Sequence, residues 1–144
     1  MSTRKIRQII AGRPVHSMPS STTVAAAARR MTEQQIGALL VVDGGALVGI
    51  FTERDALGRV LARDVDPSTA TLAQVMTAKP LTISADKALA HALIIMHENG
   101  FRHMPVVDGD RLAGVVSVRD ALGDELSEMS GTLRKIETLA ENVR

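Results

Sequence analysis

The sequence predicts an α/β fold (α+β) built from two tandem β-α-β-β-α units with pseudo-twofold symmetry, plus a C-terminal helix. An internal repeat is the first reason: residues 49–55 read Gly-Ile-Phe-Thr-Glu-Arg-Asp, and residues 114–120, 65 positions later (114 minus 49), read Gly-Val-Val-Ser-Val-Arg-Asp. The same offset holds without a gap from residues 15–57 to residues 80–122. A unit of about 60 residues buries too little surface to be stable alone, so we expect the two sheets to pack against each other.

The composition is typical of a soluble globular protein and argues against several function classes. Of the 144 residues, 45% are hydrophobic and 23% charged, the net charge is +1, and there is no Cys. These values give no electrostatic reason to expect binding to nucleic acid or to an anionic membrane, and they exclude disulfides and zinc–thiolate sites. The apolar runs are shorter than the ~20 residues that span a bilayer, and the N-terminus does not read as a signal peptide. We therefore expect a cytoplasmic protein.

Each unit begins with a short helix and a short extended segment. Residues 3–10 place three isoleucines on one helical face, and residues 72–76 form the similar element before the second unit. Extended segments follow at residues 15–17 and 80–82.

The next helix of each unit is predicted by apolar residues at i, i+3, i+4 and i+7, which pack one face of a helix on a sheet. These residues are Val24, Ala27, Ala28 and Met31 in the first unit and Leu89, Ala92, Leu93 and Met96 in the second. Ser20 or Ser21 is the predicted N-cap of the first helix, and Ser84 is that of the second.

Apolar runs on either side of residues 43–45 (Asp-Gly-Gly) predict a β-hairpin, and so do the runs around residues 108–110 (Asp-Gly-Asp). Each hairpin leads directly into a helix that we expect to begin at Thr52 or Ser117. A polar link at residues 63–71 separates the units. The predicted boundaries are residues 1–65 for the first unit, 66–124 for the second unit and 125–144 for the C-terminal helix.

The C-terminal residues carry an apolar seam with the spacing of a coiled coil. It consists of Leu122, Leu126, Met129, Leu133, Ile136, Ala140 and Val143. Gly131 interrupts the helix and costs about 1 kcal/mol relative to Ala. The seam fits a helix that folds back on its own domain, and it also fits a helix that pairs with a second copy. We expect a homodimer, built through the helices of the units with a contribution from this tail.

The repeated motif suits a nucleoside phosphate. Its hydroxyl residue, Thr52 or Ser117, lies where a helix begins, beside free backbone N–H groups that bind phosphate. The aspartate three positions on, Asp55 or Asp120, has two oxygens that can accept hydrogen bonds from both ribose hydroxyls. The same spacing is also that of a capping box, in which the two side chains only close the start of the helix.

These motifs, together with Val-Val-Asp-Gly at residues 41–44, Pro-Val-Val-Asp-Gly at 105–109 and Val-Met-Thr at 75–77, closely resemble a tandem pair of CBS domains, a Bateman module of the stand-alone bacterial type. The resemblance covers roughly residues 5–125. It implies a non-enzymatic module for regulation and signal transduction that binds AMP, ADP, ATP, NAD or S-adenosylmethionine in clefts between the units. The alternative is a structural module for homodimerisation or protein interaction that binds no nucleotide.

The resemblance also implies roles for single residues. Asp55 and Asp120 hold the ribose, Thr52 and Ser117 bind the ribose-phosphate region, and Arg54 and Arg119 lie near the phosphates. One base pocket is lined by Gly37, Ala38 and Leu39, and the other by Arg102, His103, Met104 and Pro105. Val15, His16 and Ser17 close the first pocket, and Leu81 and Thr82 close the second.

The two expected sites differ in charge. Glu53 follows the hydroxyl residue in the first motif, where Val118 stands in the second, and Arg102 and His103 add donors only to the second site. We therefore expect the second site to bind nucleotide better, with the base between aliphatic side chains. The adenine nucleotide is a regulatory ligand, with no required cofactor or metal, and an effector protein or the dimer receives the signal. An enzyme is disfavoured because no general base is paired with a nucleophile.

Overall fold

The structure, a computed structural model, describes residues 4–142, without the side chains of residues 124, 125, 127 and 128. The first unit contains α1 (Ile6–Ile10), β1 (Ser17–Met18), α2 (Val24–Gln34), β2 (Ala38–Asp43), β3 (Ala46–Thr52) and α3 (Glu53–Asp55). A π-helical turn (Ala56–Val60) and a 3₁₀ turn (Leu61–Arg63) extend α3. The second unit contains α4 (Leu72–Val75), β4 (Thr77–Ala78), β5 (Ile83–Ser84), α5 (Leu89–Asn99), β6 (His103–Asp108) and β7 (Arg111–Ser117), followed by a 3₁₀ turn (Val118–Ala121) and α6 (Leu122–Asn142).

The repeat extends to the pairing of the strands, which confirms the predicted fold. The sheets have the orders β1-β2-β3-β4 and β5-β6-β7. Ala38 lies opposite Thr52 in the first hairpin, and His103 lies opposite Ser117 in the second. Each hairpin has its register shift at the same place, after Val41 and after Val106. The turn of the first hairpin consists of Gly44 and Gly45, whose φ angles of 56° and 80° favour glycine.

Three apolar clusters form the core. One lies between α2 and the first sheet, and a second lies between α5 and the second sheet. The third joins the two sheets, because Leu40 and Ile50 of the first pack against Leu112 and Val115 of the second. The sheets therefore meet face to face, as the repeat predicts.

The first helix of each unit packs in the core of the other unit. Ile6 of α1 is fully buried in the second core, and Leu72 of α4 is fully buried in the first core. The backbone follows the same exchange, because the N–H of Ile6 donates to Lys87 O and the N–H of Leu72 donates to Thr22 O, both at 2.9 Å. The boundary at residue 65 remains a prediction, and the packing shows that both cores draw side chains from across it.

The predicted helix caps are wrong, because α2 and α5 begin later than expected. Thr23 caps α2 by accepting a hydrogen bond from the Ala26 N–H at 3.2 Å, and Ala88 stands at the N-cap of α5. Ser20 instead donates to Asp43, and this hydroxyl bond lowers the pKa of the Asp43 carboxyl. Ser84 accepts from the Asp86 N–H at 3.2 Å, within a turn before α5.

The C-terminal seam is exposed on a helix that leaves the domain. The side chains of Leu126, Met129, Leu133 and Ile136 are between 57% and 60% exposed. In this structure, the helix therefore does not fold back on its own domain. Val143 of the predicted seam lies outside the described residues. Within residues 4–142, every helix is too short or too polar to cross a bilayer.

Candidate functional site

Two clefts open between the units, and each contains one copy of the repeated motif. The Asp55 cleft has a volume of about 400 Å³. It is lined by Ile50, Thr52, Arg54, Asp55, Gly58 and Arg59 of the first unit and by Thr77, Pro80, Leu81, Gly100, Phe101, Arg102 and His103 of the second.

The Asp120 cleft is larger, with a volume of about 540 Å³. Its walls include Arg13, Pro14, Val15 and His16 of the N-terminal segment, Gln34, Gln35, Ile36, Gly37, Ala38 and Glu53 of the first unit, and Ser117, Val118, Arg119 and Asp120 of the second. Arg102 and His103 line both clefts and so form a wall shared between them.

The expected grouping of residues into two sites is wrong in one respect. The first expected pocket faces Asp120 rather than Asp55, and this exchange involves Val15, His16, Gly37 and Ala38 together. Leu81 likewise lies with Asp55 rather than with Asp120. The reason is the pseudo-twofold arrangement: when two sheets meet face to face, the motif of one unit faces the segment before the hairpin of the other. Each cleft is therefore built by both units.

Other expected residues line neither cleft. Leu39 belongs to the first core, and Met104 belongs to the second, with exposures of 0% and 1%. Successive side chains of a strand point to opposite faces, so these residues face inward while their neighbours Ala38 and His103 face the clefts. Pro105 is fully buried as well. Ser17 and Thr82 are exposed and lie outside both cleft linings.

In the first motif, the two oxygens of Asp55 have different partners. Oδ2 accepts hydrogen bonds from the N–H and the hydroxyl of Thr52, at 3.0 and 3.1 Å. Oδ1 faces the guanidinium of Arg59, whose Nε is 3.6 Å away. Arg59 is itself held by the carbonyl oxygens of Val75 and Met76, at 3.2 and 2.8 Å. The capping box thus uses one carboxylate oxygen, and the other pairs with an arginine that lines the cleft.

The second motif repeats this division. Asp120 Oδ2 accepts from the Ser117 N–H at 2.9 Å, and Asp120 Oδ1 pairs with Arg13 Nη2 at 2.8 Å. The Asp120 side chain is 10% exposed and lines the cleft. The partner of Oδ1 comes from the N-terminal segment, whereas the partner of Asp55 comes from the same helix.

The glycine of each motif makes room for a neighbouring segment of the protein, and Gly114 also lines the Asp120 cleft. A Cβ at Gly49 would overlap Met76 Sδ and would lie 3.0 Å from Thr77 O, so only glycine lets this segment approach β3. Gly114 has a φ angle of 154° and faces Ile10 of α1. These glycines therefore serve the exchange of the first helices.

Gly37 serves the wall between the clefts. A Cβ on Gly37 would lie 2.8 Å from Glu53 Oε1 and 3.1 Å from His103 Nε2, so both side chains converge on this residue. Burial lowers the pKa of His103 below its ordinary value of 6.5, against the opposing charges of Glu53 and Asp120. This shift of the His103 pKa favours the neutral imidazole.

The predicted ranking of the two sites loses its basis. Glu53 lines the Asp120 cleft, not the cleft of its own motif, and Arg102 and His103 serve both. The carboxylate that was expected to weaken the first site thus lies in the second.

Sequence reasoning missed Phe101, which lines the Asp55 cleft and corrects the expectation of a base pocket with aliphatic walls only. A signal was available, because Phe101 is the repeat counterpart of Ile36, just before the hairpin. Arg13 and Arg59 were missed as well, and neither stands in a repeated motif. Among the described residues, no His, Asp or Glu cluster could hold a metal ion.

Comparisons with known proteins agree with this architecture. A CBS domain-containing protein of Arabidopsis thaliana is 32% identical over 128 residues, and the match covers 88% of this chain and 23% of that protein. The chain thus spans about a quarter of the length of this relative. A CBS-domain protein from Burkholderia ambifaria MC40-6 superposes with a TM-score of 0.80 at 30% identity, covering 86% of this chain and 95% of that one.

A further solved structure contains ligands. The CBS domain pair of protein MJ0100, in complex with 5′-methylthioadenosine and S-adenosyl-L-methionine, has a TM-score of 0.72 and 28% identity, covering 82% of this chain and 96% of that one. The CBS domain family itself matches residues 6–62 and 72–125, one match for each unit. The chain therefore belongs to the CBS-domain family, as a tandem pair of CBS domains.

Proposed function

We propose that this chain is a non-enzymatic regulatory module that binds adenosine-containing nucleotides in the clefts between its two units. One observation carries the proposal: each cleft is lined by an aspartate whose Oδ2 closes the helix start, while Oδ1 pairs with an arginine of the same lining. A ribose is recognised by such an oxygen, and the arginines of the same cleft suit phosphate. The ligand-bound MJ0100 pair supports the adenosine class of ligand.

The Asp55 cleft offers the more complete set of contacts for a nucleotide. Phe101 supplies a ring on which an adenine base can stack, and Arg54 and Arg102 supply positive charge. Arg54 already spans the cleft, because its Nη1 donates to Gly100 O of the second unit at 3.0 Å. A nucleotide bound here contacts both units.

Contacts with both units are what a regulatory ligand needs. A ligand changes a conformational equilibrium only through a difference in its affinity for the two states. Suppose that a change in the angle between the units alters the distance from the ribose-binding aspartate to the opposite wall of the cleft. A nucleotide that contacts both sides then has different affinities for the two states. The signal then passes to an effector protein or through a dimer, in a cytoplasmic protein that contacts neither nucleic acid nor membrane.

Thermal unfolding with AMP, ADP, ATP, NAD and S-adenosylmethionine in turn tests the proposal. A ligand at a hundred times its dissociation constant adds about 2.7 kcal/mol, which raises the midpoint by several degrees. Asp55→Asn and Asp120→Asn keep an oxygen for the helix cap but remove the charge, so we expect each to reduce the shift. Asp66→Asn is the matched control, since Asp66 accepts from Ser68 in an exposed turn outside both clefts.

The outcomes separate the two interpretations of the motif. A shift with one ligand that the Asn variants reduce and the control retains supports nucleotide binding. The proposal fails if none of the ligands shifts the midpoint. The aspartates then act as helix caps alone.

A second candidate role, homodimerisation through α6, is favoured by the exposed seam of that helix. The side chains of Leu133 and Ile136 are 59% and 57% exposed, and burying them against a second copy removes apolar surface from water. We expect sedimentation equilibrium to show a dimer that Leu133→Gln weakens. Thr138→Gln, on the same helix but off the seam, is the control. A monomer at all concentrations, or equal effects of both variants, contradicts this role.

A further inference from the structure

The carboxylate of Asp120 has a charged partner inside its cleft, and this partner comes from a distant part of the chain. Arg13 Nη2 lies 2.8 Å from Asp120 Oδ1, across a separation of 107 residues. Oδ1 is the same oxygen that would accept a hydrogen bond from a ribose hydroxyl. A nucleoside entering the Asp120 cleft therefore meets an acceptor that Arg13 already occupies.

The N-terminal segment fixes where Arg13 can reach. The backbone N–H of Arg13 donates to Ile10 O at 3.0 Å and closes a turn at Gly12, whose φ angle is 77°. Because α1 is anchored in the second core, this turn is held at the mouth of the cleft. The Arg13 side chain itself is 48% exposed and is bound at its tip, so it can change partner without moving the backbone.

Within the described part of the chain, the Asp55 cleft has no equivalent arrangement. Arg59 faces Asp55 at 3.6 Å, but two carbonyl oxygens hold its Nη1, at 3.2 and 2.8 Å. Arg59 follows Asp55 by one helical turn, and the two carbonyl oxygens hold its guanidinium beside Asp55. The two arginines are similarly exposed, at 48% for Arg13 and 43% for Arg59, and they differ in their partners. Among residues 4–142, Arg13 is held by the ribose-binding carboxylate alone, whereas Arg59 is also held by two carbonyl oxygens.

We propose that Arg13 determines the ligand specificity of the Asp120 cleft, by pairing with Asp120 in the empty cleft and with the phosphate of a bound nucleotide. This inference rests on the nucleotide-binding function proposed above. A nucleotide replaces the lost carboxylate partner with a phosphate, so the arginine keeps an anionic partner throughout. Adenosine breaks the same ion pair and offers nothing in return. The Asp120 cleft therefore selects adenosine phosphates over adenosine and its neutral derivatives.

Glu53 opposes an anionic ligand in this cleft, so phosphate binding there depends on the cations. It lines the same cleft, so a ligand must meet two carboxylates there, Glu53 and Asp120, with Arg13, Arg102 and Arg119 as the cations. Removing Arg13 leaves the two acids opposed by two arginines only. A phosphate then gains less on entering, while the ribose hydroxyls find Asp120 Oδ1 free.

Calorimetric titration of AMP and of adenosine tests the inference, in an Asp55→Asn background that leaves the Asp120 cleft as the main site. We expect Arg13→Gln to weaken AMP binding by about tenfold, the size of one lost charge-assisted hydrogen bond, and to strengthen adenosine binding severalfold. Arg7→Gln is the control, because Arg7 is also exposed, at 47%, and pairs with Asp86 and Asp108 outside the clefts.

The opposite signs of the two effects distinguish this role from others. Equal changes for AMP and adenosine overturn the inference while leaving nucleotide binding intact, since Arg13 then acts as a simple barrier or a structural contact. The inference is overturned in the same way if Arg7→Gln alters the ratio of the two affinities as strongly. Suppose that neither ligand binds to the Asp55→Asn chain with Arg13 in place, while the chain with Asp55 intact binds AMP. The inference about the Asp120 cleft is then overturned, and nucleotide binding in the Asp55 cleft stands. If that chain binds no nucleotide either, the proposed function fails as well.

Discussion

Replacing Ile6 with alanine tests the exchange of first helices between the units. Ile6 lies near the start of the chain, yet its side chain is 0% exposed and belongs to the second core. Truncating a buried isoleucine to alanine costs about 2–5 kcal/mol, because apolar contacts are lost and a cavity remains. For a chain of this size, each kcal/mol lowers the melting midpoint by roughly 3 °C, so we expect a fall of about 6–15 °C.

The exchange also predicts how the variant unfolds. Since α1 completes the second core and α4 completes the first, loosening one unit removes support from the other. Hydrogen exchange followed by mass spectrometry reads the β2–β3 and β6–β7 hairpins separately. We expect Ile6→Ala to reduce the protection of both hairpins by the same factor, since both open in one cooperative transition.

Two results would refute this reasoning. Loss of protection in β6–β7 with unchanged protection in β2–β3 would show that the units unfold independently. An effect of Ile94→Ala as large as that of Ile6→Ala would refute the burial argument, because Ile94 is 56% exposed.

Two further predictions concern Gly49 and the shared wall of the clefts. Gly49→Ala forces a Cβ into Met76, so we expect denaturant titration to show a loss of about 1–3 kcal/mol, whereas Gly58→Ala, with open space around its Cβ, shows none. Because burial lowers the pKa of His103 in the folded chain, the unfolded chain binds that proton more tightly. The unfolding free energy should therefore fall as pH drops below about 6.5, and His103→Gln should flatten this dependence; parallel pH profiles would contradict it.

The fold was predictable because its signals are local and doubled. The Asp-Gly turns mark both hairpins, the helix spacing marks α2 and α5, and the common offset carries each assignment from one unit to the other. Even the start of the helices at Thr52 and Ser117 follows from the sequence, since both residues stand at N-caps. The cap of α2 was missed because several hydroxyl residues precede this helix, and the contact of Ser20 with Asp43, which removes one candidate, is tertiary. The cap of α5 was missed because the residue at that position is Ala88, which has no capping side chain.

The composition of each cleft was less accessible, because it depends on which unit faces which. Local patterns predict that Val15 and Leu81 lie near a motif but do not say which motif. The predicted symmetry was sufficient to decide this, because a twofold axis between face-to-face sheets places the motif of one unit against the segment before the hairpin of the other. Alternation along β2 and β6 likewise separates Ala38 from Leu39.

Arg13 could not be predicted by any of these routes. It stands outside the repeat, and its contact with Asp120 spans 107 residues. The sequence shows only that Gly12 and Pro14 end a helix. The direction of the chain beyond them depends on the anchoring of α1 in the second core. The residue to which we assign the specificity of the Asp120 cleft therefore lies where the repeat gives no information.

The two interpretations of the repeated motif are not exclusive, and the geometry explains why. A carboxylate has two oxygens, and in Asp55 and Asp120 one closes the helix while the other faces a cleft cation. The cap fixes the rotation of the side chain, so the second oxygen is held beside the cleft arginine before any ligand arrives. Preorganisation of this kind lowers the entropic cost of binding. A capping box at a cleft between two units is thus a favourable starting point for a ribose site, and duplication of the unit supplies two of them.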